Sequence, residues 1–184
     1  MTATHKGLIE IALAILDTWH AGRCSKSDAK SILLCLLRQY SDPGRVVEGR
    51  PHFDVQVSLK ALASSDPTHR EHAVPLDYIA TVMLNEAAPV TGSAVVGALN
   101  IPTSLHQVIM LESEHAMLNK NTRLKQGMPT AWNGHDMFAR YEKIKDFEFS
   151  GATQGQVREL QKRINVAEGR EKAKMTRAEK KLVR

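Results

Sequence analysis

Apolar residues recur at three- and four-residue spacing along much of this 184-residue chain, and that period narrows the fold more than any other feature. Leu8, Ile11, Ile15 and Leu16 mark one helical face, which Trp19 continues and Gly22 ends. Ser25 or Ser27 can cap a second helix, whose apolar face includes Ile32, Leu33, Leu36 and Leu37. Asp42-Pro43-Gly44 closes that helix with a turn signature. Residues 1–44 therefore read as a helical hairpin. Nothing in it marks a recognition helix, so packing is its expected role.

The period changes after residue 45. Phe53, Val55 and Val57 alternate as in a strand, and Ser58 to Ser64 suits a short helical turn before the Ser64-Ser65-Asp66-Pro67 loop. A helical run extends from Leu76 to Glu86, and Val95, Val96 and Leu99 keep helical spacing. Leu105 to Leu111 is a compact apolar run suited to a buried strand. A further helix is expected from near Ser113, which would cap it, and Gly127-Met128-Pro129 breaks it. After the Trp132-Asn133-Gly134 turn, Phe138 to Ile144 has the pattern of a short amphipathic helix. Ser150-Gly151-Ala152 reads as a linker into a helix over 154–184, with Val157, Leu160 and Ile164 as its apolar seam and Gly169 interrupting it. The expected class is α+β, predominantly helical, in three regions: 1–44, 45–149 and 150–184.

Aromatic residues make up only 5% of the chain, so its core must rest on Leu, Ile, Val, Ala and Met. Trp132, Phe138 and Tyr141 are therefore expected to close that core and not to stack on bases. No apolar run approaches the roughly 20 residues of a membrane span. The Leu8–Leu16 stretch is interrupted by Glu10 and does not read as an export signal. The two cysteines, Cys24 and Cys35, form no CxxC pair and are expected to be free thiols in a reducing, cytoplasmic setting.

The net charge of +5 is concentrated at one end. Residues 154–184 hold ten Lys/Arg against four Asp/Glu, while the first 153 residues hold 15 against 16. Clustered positive charge on one element is what polyanion binding requires, and a solvated helix is the plainer alternative.

Two histidine-centred clusters stand out. The first is Glu71-His72-Ala73-Val74-Pro75; the second runs from Val108 through Glu114-His115 to Asn119-Lys120. His115 and Asn119, four residues apart, share one face of a helix. Such a set can surround a divalent ion and leave positions open for water and phosphate oxygens.

In these residues the chain resembles the HNH endonucleases, the ββα-metal group, over roughly residues 69 to 121. That family carries an acidic-His-x-x-Pro segment on a first strand, and a second strand that enters a helix bearing His-x-x-x-His or His-x-x-x-Asn. The resemblance implies a central ββα-metal-like motif in which Glu71, His115 and Asn119 hold the ion. His72 would be the general base, and Lys120 or Arg123 would contact a neighbouring phosphate. Magnesium or manganese is the expected metal, with nickel or zinc also compatible. The chain departs from the family pattern in three ways: it lacks paired CxxC knuckles, has a long insert between the clusters, and has only Asn100 and His106 as candidates for the residue that orients the base.

The implied partner is nucleic acid or a nucleoprotein complex, gripped by Arg158, Lys162, Arg163, Lys172, Lys174, Lys180 and Lys181 of the tail. The alternative is a binding protein without catalysis, of phage or mobile-element type, such as an inhibitor of a CRISPR or restriction complex. It would dock through the basic helix, whose apolar seam would also suit a homodimer. A helical DNA-binding regulator using residues 8–40 ranks below both.

Overall fold

The structure is a computed structural model that describes residues 3–41, 46–47, 50–51, 55–86, 88–99, 106–120, 122–164 and 166. It is α+β and predominantly helical. Helices α1 (Ala3–His20) and α2 (Lys26–Tyr40) form the N-terminal hairpin. The chain stops α1 with Gly22 in the left-handed region, φ 68°. There the Gly22 amide donates to the Trp19 carbonyl and the Arg23 amide to the Thr18 carbonyl, the paired bonds of a Schellman close. Ser25 is the cap of α2: its hydroxyl accepts from the Asp28 amide, while the Asp28 carboxylate accepts from the Ser25 amide.

Strand β3 (Val55–Ser58) runs straight into the short helix α3 (Leu59–Ala63), as the alternation at 53–57 and the following turn predict. Strand β4 (Thr68–His72) follows, and then helices α4 (Leu76–Leu84) and α5 (Gly92–Leu99). Strand β5 (Gln107–Leu111) passes without a break into α6 (Glu112–Lys120), and α7 (Thr122–Gln126) comes next. The segment expected to be an amphipathic helix at 138–144 is a single 3-10 turn, Tyr141–Lys143, and its side chains still pack inward. Phe149–Ser150, expected at the edge of a linker, is a two-residue strand β6. Its pairing with Val57 and Ser58 is a long-range contact that local pattern does not carry. The C-terminal helix α8 is described over 154–164. A two-residue pairing of Val46–Val47 (β1) with Arg50–Pro51 (β2) stands apart from the main sheet.

The sheet order is β4-β5-β3-β6, antiparallel except for the β3–β5 pair. All five residues of β5 are buried, as befits the strand expected from its apolar run. Its side chains alternate between two cores. Val108 and Met110 face Leu118, Leu124, Tyr141 and Ile144; Ile109 and Leu111 face Val57, Ala61, Leu160 and Ile164. The seam of α8 is therefore buried against the chain's own sheet. A third core joins α1, α2, α4 and α5 through Leu8, Leu16, Leu33, Ile79 and Val95, so the insert between β4 and β5 completes the helical layer begun by the hairpin. Trp132 lies edge-on to Tyr78 beside that layer, and Phe138, Tyr141, Phe147 and Phe149 form an aromatic cluster under the sheet. Among the described residues no helix is long and apolar enough to cross a membrane.

Candidate metal centre

Two junctions build the site. In the β4–β5 register His69 lies opposite Met110 and Glu71 opposite Val108, so both point to the face that carries α6. The helix in turn is fixed by its own start. Ser113 was expected to cap it, but the first helical residue is Glu112, and the capping role falls to Glu114. The Glu114 carboxylate accepts from the Leu111 amide at 3.0 Å and from the Ser58 hydroxyl at 2.7 Å. That same hydroxyl accepts from the Ala61 amide at the start of α3. The contacts set α6 so that the next residue, His115, projects over β4.

The result is a compact group. His115 Nε2 lies 3.0 Å from Glu71 Oε2, and His69 Nε2 lies 3.9 Å from the same oxygen. The two imidazoles stack, with centroids 3.6 Å apart and planes at 12°. One ligand atom from each of His69, Glu71 and His115 falls within a 4.8 Å set, close enough to share an ion. The other oxygen of Glu71 faces away from the histidines. It accepts from the His72 amide at 3.0 Å and pairs with Arg140 at 3.1 Å. Arg140 is buried, donates to the Leu124 carbonyl and lies over the Tyr141 ring. Burial by itself would raise the Glu71 carboxyl. The His115 hydrogen bond and the charges of Arg140, His115 and His72 outweigh it and hold the group near 2, well below its ordinary 4.5. Glu71 is thus a carboxylate in any ordinary buffer, as a metal ligand must be.

Of the residues singled out in the sequence, Glu71, His115 and Asn119 come together. Asn119 Nδ2 is 3.3 Å from both ring nitrogens of His115, so its amide lies against the imidazole. His72 does not join them. Strand alternation sends its side chain to the opposite face, where Nε2 is 2.6 Å from the Ser41 hydroxyl and 3.4 Å from the Gln107 amide. Burial is the main cause that depresses the His72 imidazole to about 4, with Arg70, Arg140 and Arg38 adding to it against the opposing pull of Glu71. His106 lies just before β5 and its carbonyl accepts from the Ala73 amide; Asn100 is outside the described residues.

Lys120 is exposed at the end of α6, and Arg123 lies on α7. Arg158, Lys162 and Arg163 are exposed on α8, with Lys162 beside Glu159 at 3.6 Å. Lys172, Lys174, Lys180 and Lys181 are outside the described residues. Because α8 packs on the Ile109–Leu111 face, Arg158, Lys162 and Arg163 and the His/Glu/His group occupy opposite sides of the sheet.

Sequence reasoning passed over His69 and Arg140. The signal for His69 was its i, i+2 relation to Glu71, which places two donors on one strand face once β4 is recognised as a strand. No local signal marks Arg140, which meets Glu71 only through the fold. Comparison of the chain with protein-family models, with curated proteins and with solved structures finds no match.

Proposed function

We propose that the chain is a divalent-metal-dependent, HNH-like protein acting on nucleic-acid phosphodiesters, with its ion at the junction of β4 and α6. The observation that carries this reading is the 3.0 Å approach of Glu71 Oε2 to His115 Nε2, in a site where an antiparallel strand pair feeds directly into the helix. An ion held there would act as a Lewis acid on the phosphoryl oxygens and the departing 3′-oxygen. The chain's part is to orient the carboxylate through Arg140 and the imidazole through α6. Lys120, exposed at the end of that helix, would contact a flanking phosphate. His72, the candidate general base, has its Nε2 at the Ser41 hydroxyl, so that role requires its side chain to leave this partner.

A cleavage assay on plasmid and single-stranded substrates with added magnesium or manganese tests the proposal, using wild type, Glu71→Gln and His72→Ala. Cutting that needs the metal and disappears with Glu71→Gln is the expected result. Loss with His72→Ala as well would support His72 as the base; retained cutting would move that role elsewhere. No cutting by wild type favours a second reading, a non-catalytic protein that docks on a nucleoprotein complex through its basic helix. The exposure of Arg158, Lys162 and Arg163 on the sheet face away from the metal group speaks for it. Their joint neutralisation would then abolish binding, and wild-type affinity would fall steeply with salt.

A further inference from the structure

We infer that the ion site is a two-histidine, one-carboxylate centre completed by His69, built for a first-row transition ion such as zinc, cobalt, nickel or manganese, in preference to magnesium. The inference rests on the reading that Glu71 and His115 hold an ion, and it goes beyond that reading in naming the third ligand and the class of metal.

Geometry comes first. Ligand atoms about 2.0–2.2 Å from a common ion lie roughly 2.8–3.6 Å from one another in octahedral or tetrahedral arrangements. Of the separations from Glu71 Oε2, the 3.0 Å to His115 Nε2 falls within that span and the 3.9 Å to His69 Nε2 slightly exceeds it. Rotation of the His69 side chain, the most exposed of the three, closes the difference. Both imidazoles present the same nitrogen, Nε2, to the same carboxylate oxygen; because an ion must lie in the plane of each ring, binding turns His69 out of its 3.6 Å stack on His115.

The carboxylate is prepared to give one oxygen only. Oε1 is occupied by the His72 amide and the Arg140 guanidinium, which leaves Oε2 for the ion. A single carboxylate oxygen is a poor beginning for magnesium, which favours oxygen ligands and holds its waters. Two imidazole nitrogens are poor partners for magnesium and good ones for zinc, cobalt or nickel. Asn119 has its amide nitrogen against the His115 ring, at 3.3 Å from both nitrogens, where it supports that imidazole. Three ligands from one side leave the remaining positions open to water or to a substrate oxygen.

The test is a titration of the full chain with cobalt, whose visible absorption reports ligand number and type, followed by competition with zinc and magnesium. One equivalent of cobalt should bind, zinc should displace it, and magnesium in large excess should not. His69→Ala should weaken cobalt binding by more than about 100-fold, beyond the roughly 10–100-fold that loss of a supporting residue costs, and Asn119→Ala should stay within that supporting range or below it. His69 is 40% exposed, so its replacement leaves the core intact. As a second measure on wild type, zinc should shift the side-chain nitrogen resonances of His69 and His115 together in NMR spectra. Unchanged cobalt affinity in His69→Ala, with binding still lost in Glu71→Gln, would overturn His69 as a ligand and leave the ion site standing. Magnesium competing on equal terms with cobalt would overturn the metal class. Failure of every ion to bind would remove the site and this inference together.

Discussion

The Arg140 guanidinium sits 3.1 Å from Glu71 Oε1, the oxygen that faces away from His69 and His115. Arg140 is 1% exposed and cannot be rehydrated without moving the segment that carries it. Replacing it with Met would keep the volume but leave Glu71 without its buried counter-charge. Breaking one side of such a pair typically costs about 3–5 kcal/mol, and the partial exposure of Glu71 places this case near the lower end. Chemical denaturation of Arg140→Met should show that loss. If Glu71 holds an ion, added cobalt or zinc should recover more stability in this variant than in wild type, because the ion supplies the missing positive charge.

Ser58 joins two helix starts, accepting from the Ala61 amide and donating to the Glu114 carboxylate. Ser58→Ala removes a cap worth about 0.5–2 kcal/mol. It also deprives the buried Glu114 carboxylate of a donor, which adds about 1–3 kcal/mol. The expected fall in stability is about 2–4 kcal/mol by denaturant titration, the separate costs overlapping in part. Glu114→Gln tests the same junction from the other side: an amide can still accept from the Leu111 amide, so it should cost less than Ser58→Ala. A Glu114→Gln change that proved the costlier would place the stabilisation in the charge of Glu114 and not in the Ser58 bridge.

Gly22 closes α1 at φ 68°, and a methyl group added there would meet no atom within 4 Å. Space is therefore free, and strain comes from backbone conformation alone. Gly22→Ala should cost about 1–2 kcal/mol, the left-handed penalty for a residue with a β-carbon. Gly22→Asn, which tolerates this region better, should cost less. Thermal melts of the two variants side by side would show the order; equal stability of Gly22→Ala and wild type would mean that the hairpin turn can rearrange without loss.

Much of the helical frame was legible in the sequence because it is local. The period from Leu8 to Leu37, the Gly22 stop and the apolar run entering α6 each carry their own signal. The His115–Asn119 pair was legible for the same reason, since four residues on a helix fix a shared face. Strand β4 was not. Its residues, Thr68-His69-Arg70-Glu71-His72, are polar and all part-buried, so no apolar alternation announces the strand that puts His69 beside Glu71 and turns His72 away. Nor could the sequence place Arg140, whose partner is set by the packing of the 137–149 segment under the sheet. The site is thus readable where it depends on one element and hidden where it depends on the meeting of two.

His72 separates the chain's pH response into two windows. The native imidazole, buried against Ser41 and near Arg38, Arg70 and Arg140, titrates near 4, whereas the unfolded chain takes up its proton near 6.5. Between those values the unfolded state binds more protons, so stability must fall as the pH drops from about 6.5 towards 4. The full effect, from the size of the displacement, is on the order of 3 kcal/mol. Glu71 acts lower down: its native carboxyl titrates near 2 against an ordinary 4.5, so its contribution is present above about 4.5 and is lost only as the pH falls through that range. In the metal-free protein His72→Gln, which can still meet the Ser41 hydroxyl, should flatten the upper window and leave the lower one in place. Denaturation midpoints measured from pH 7 down to 3 would resolve the two. A variant whose profile between 6.5 and 4.5 matched wild type would show that the His72 imidazole is not held neutral by its burial.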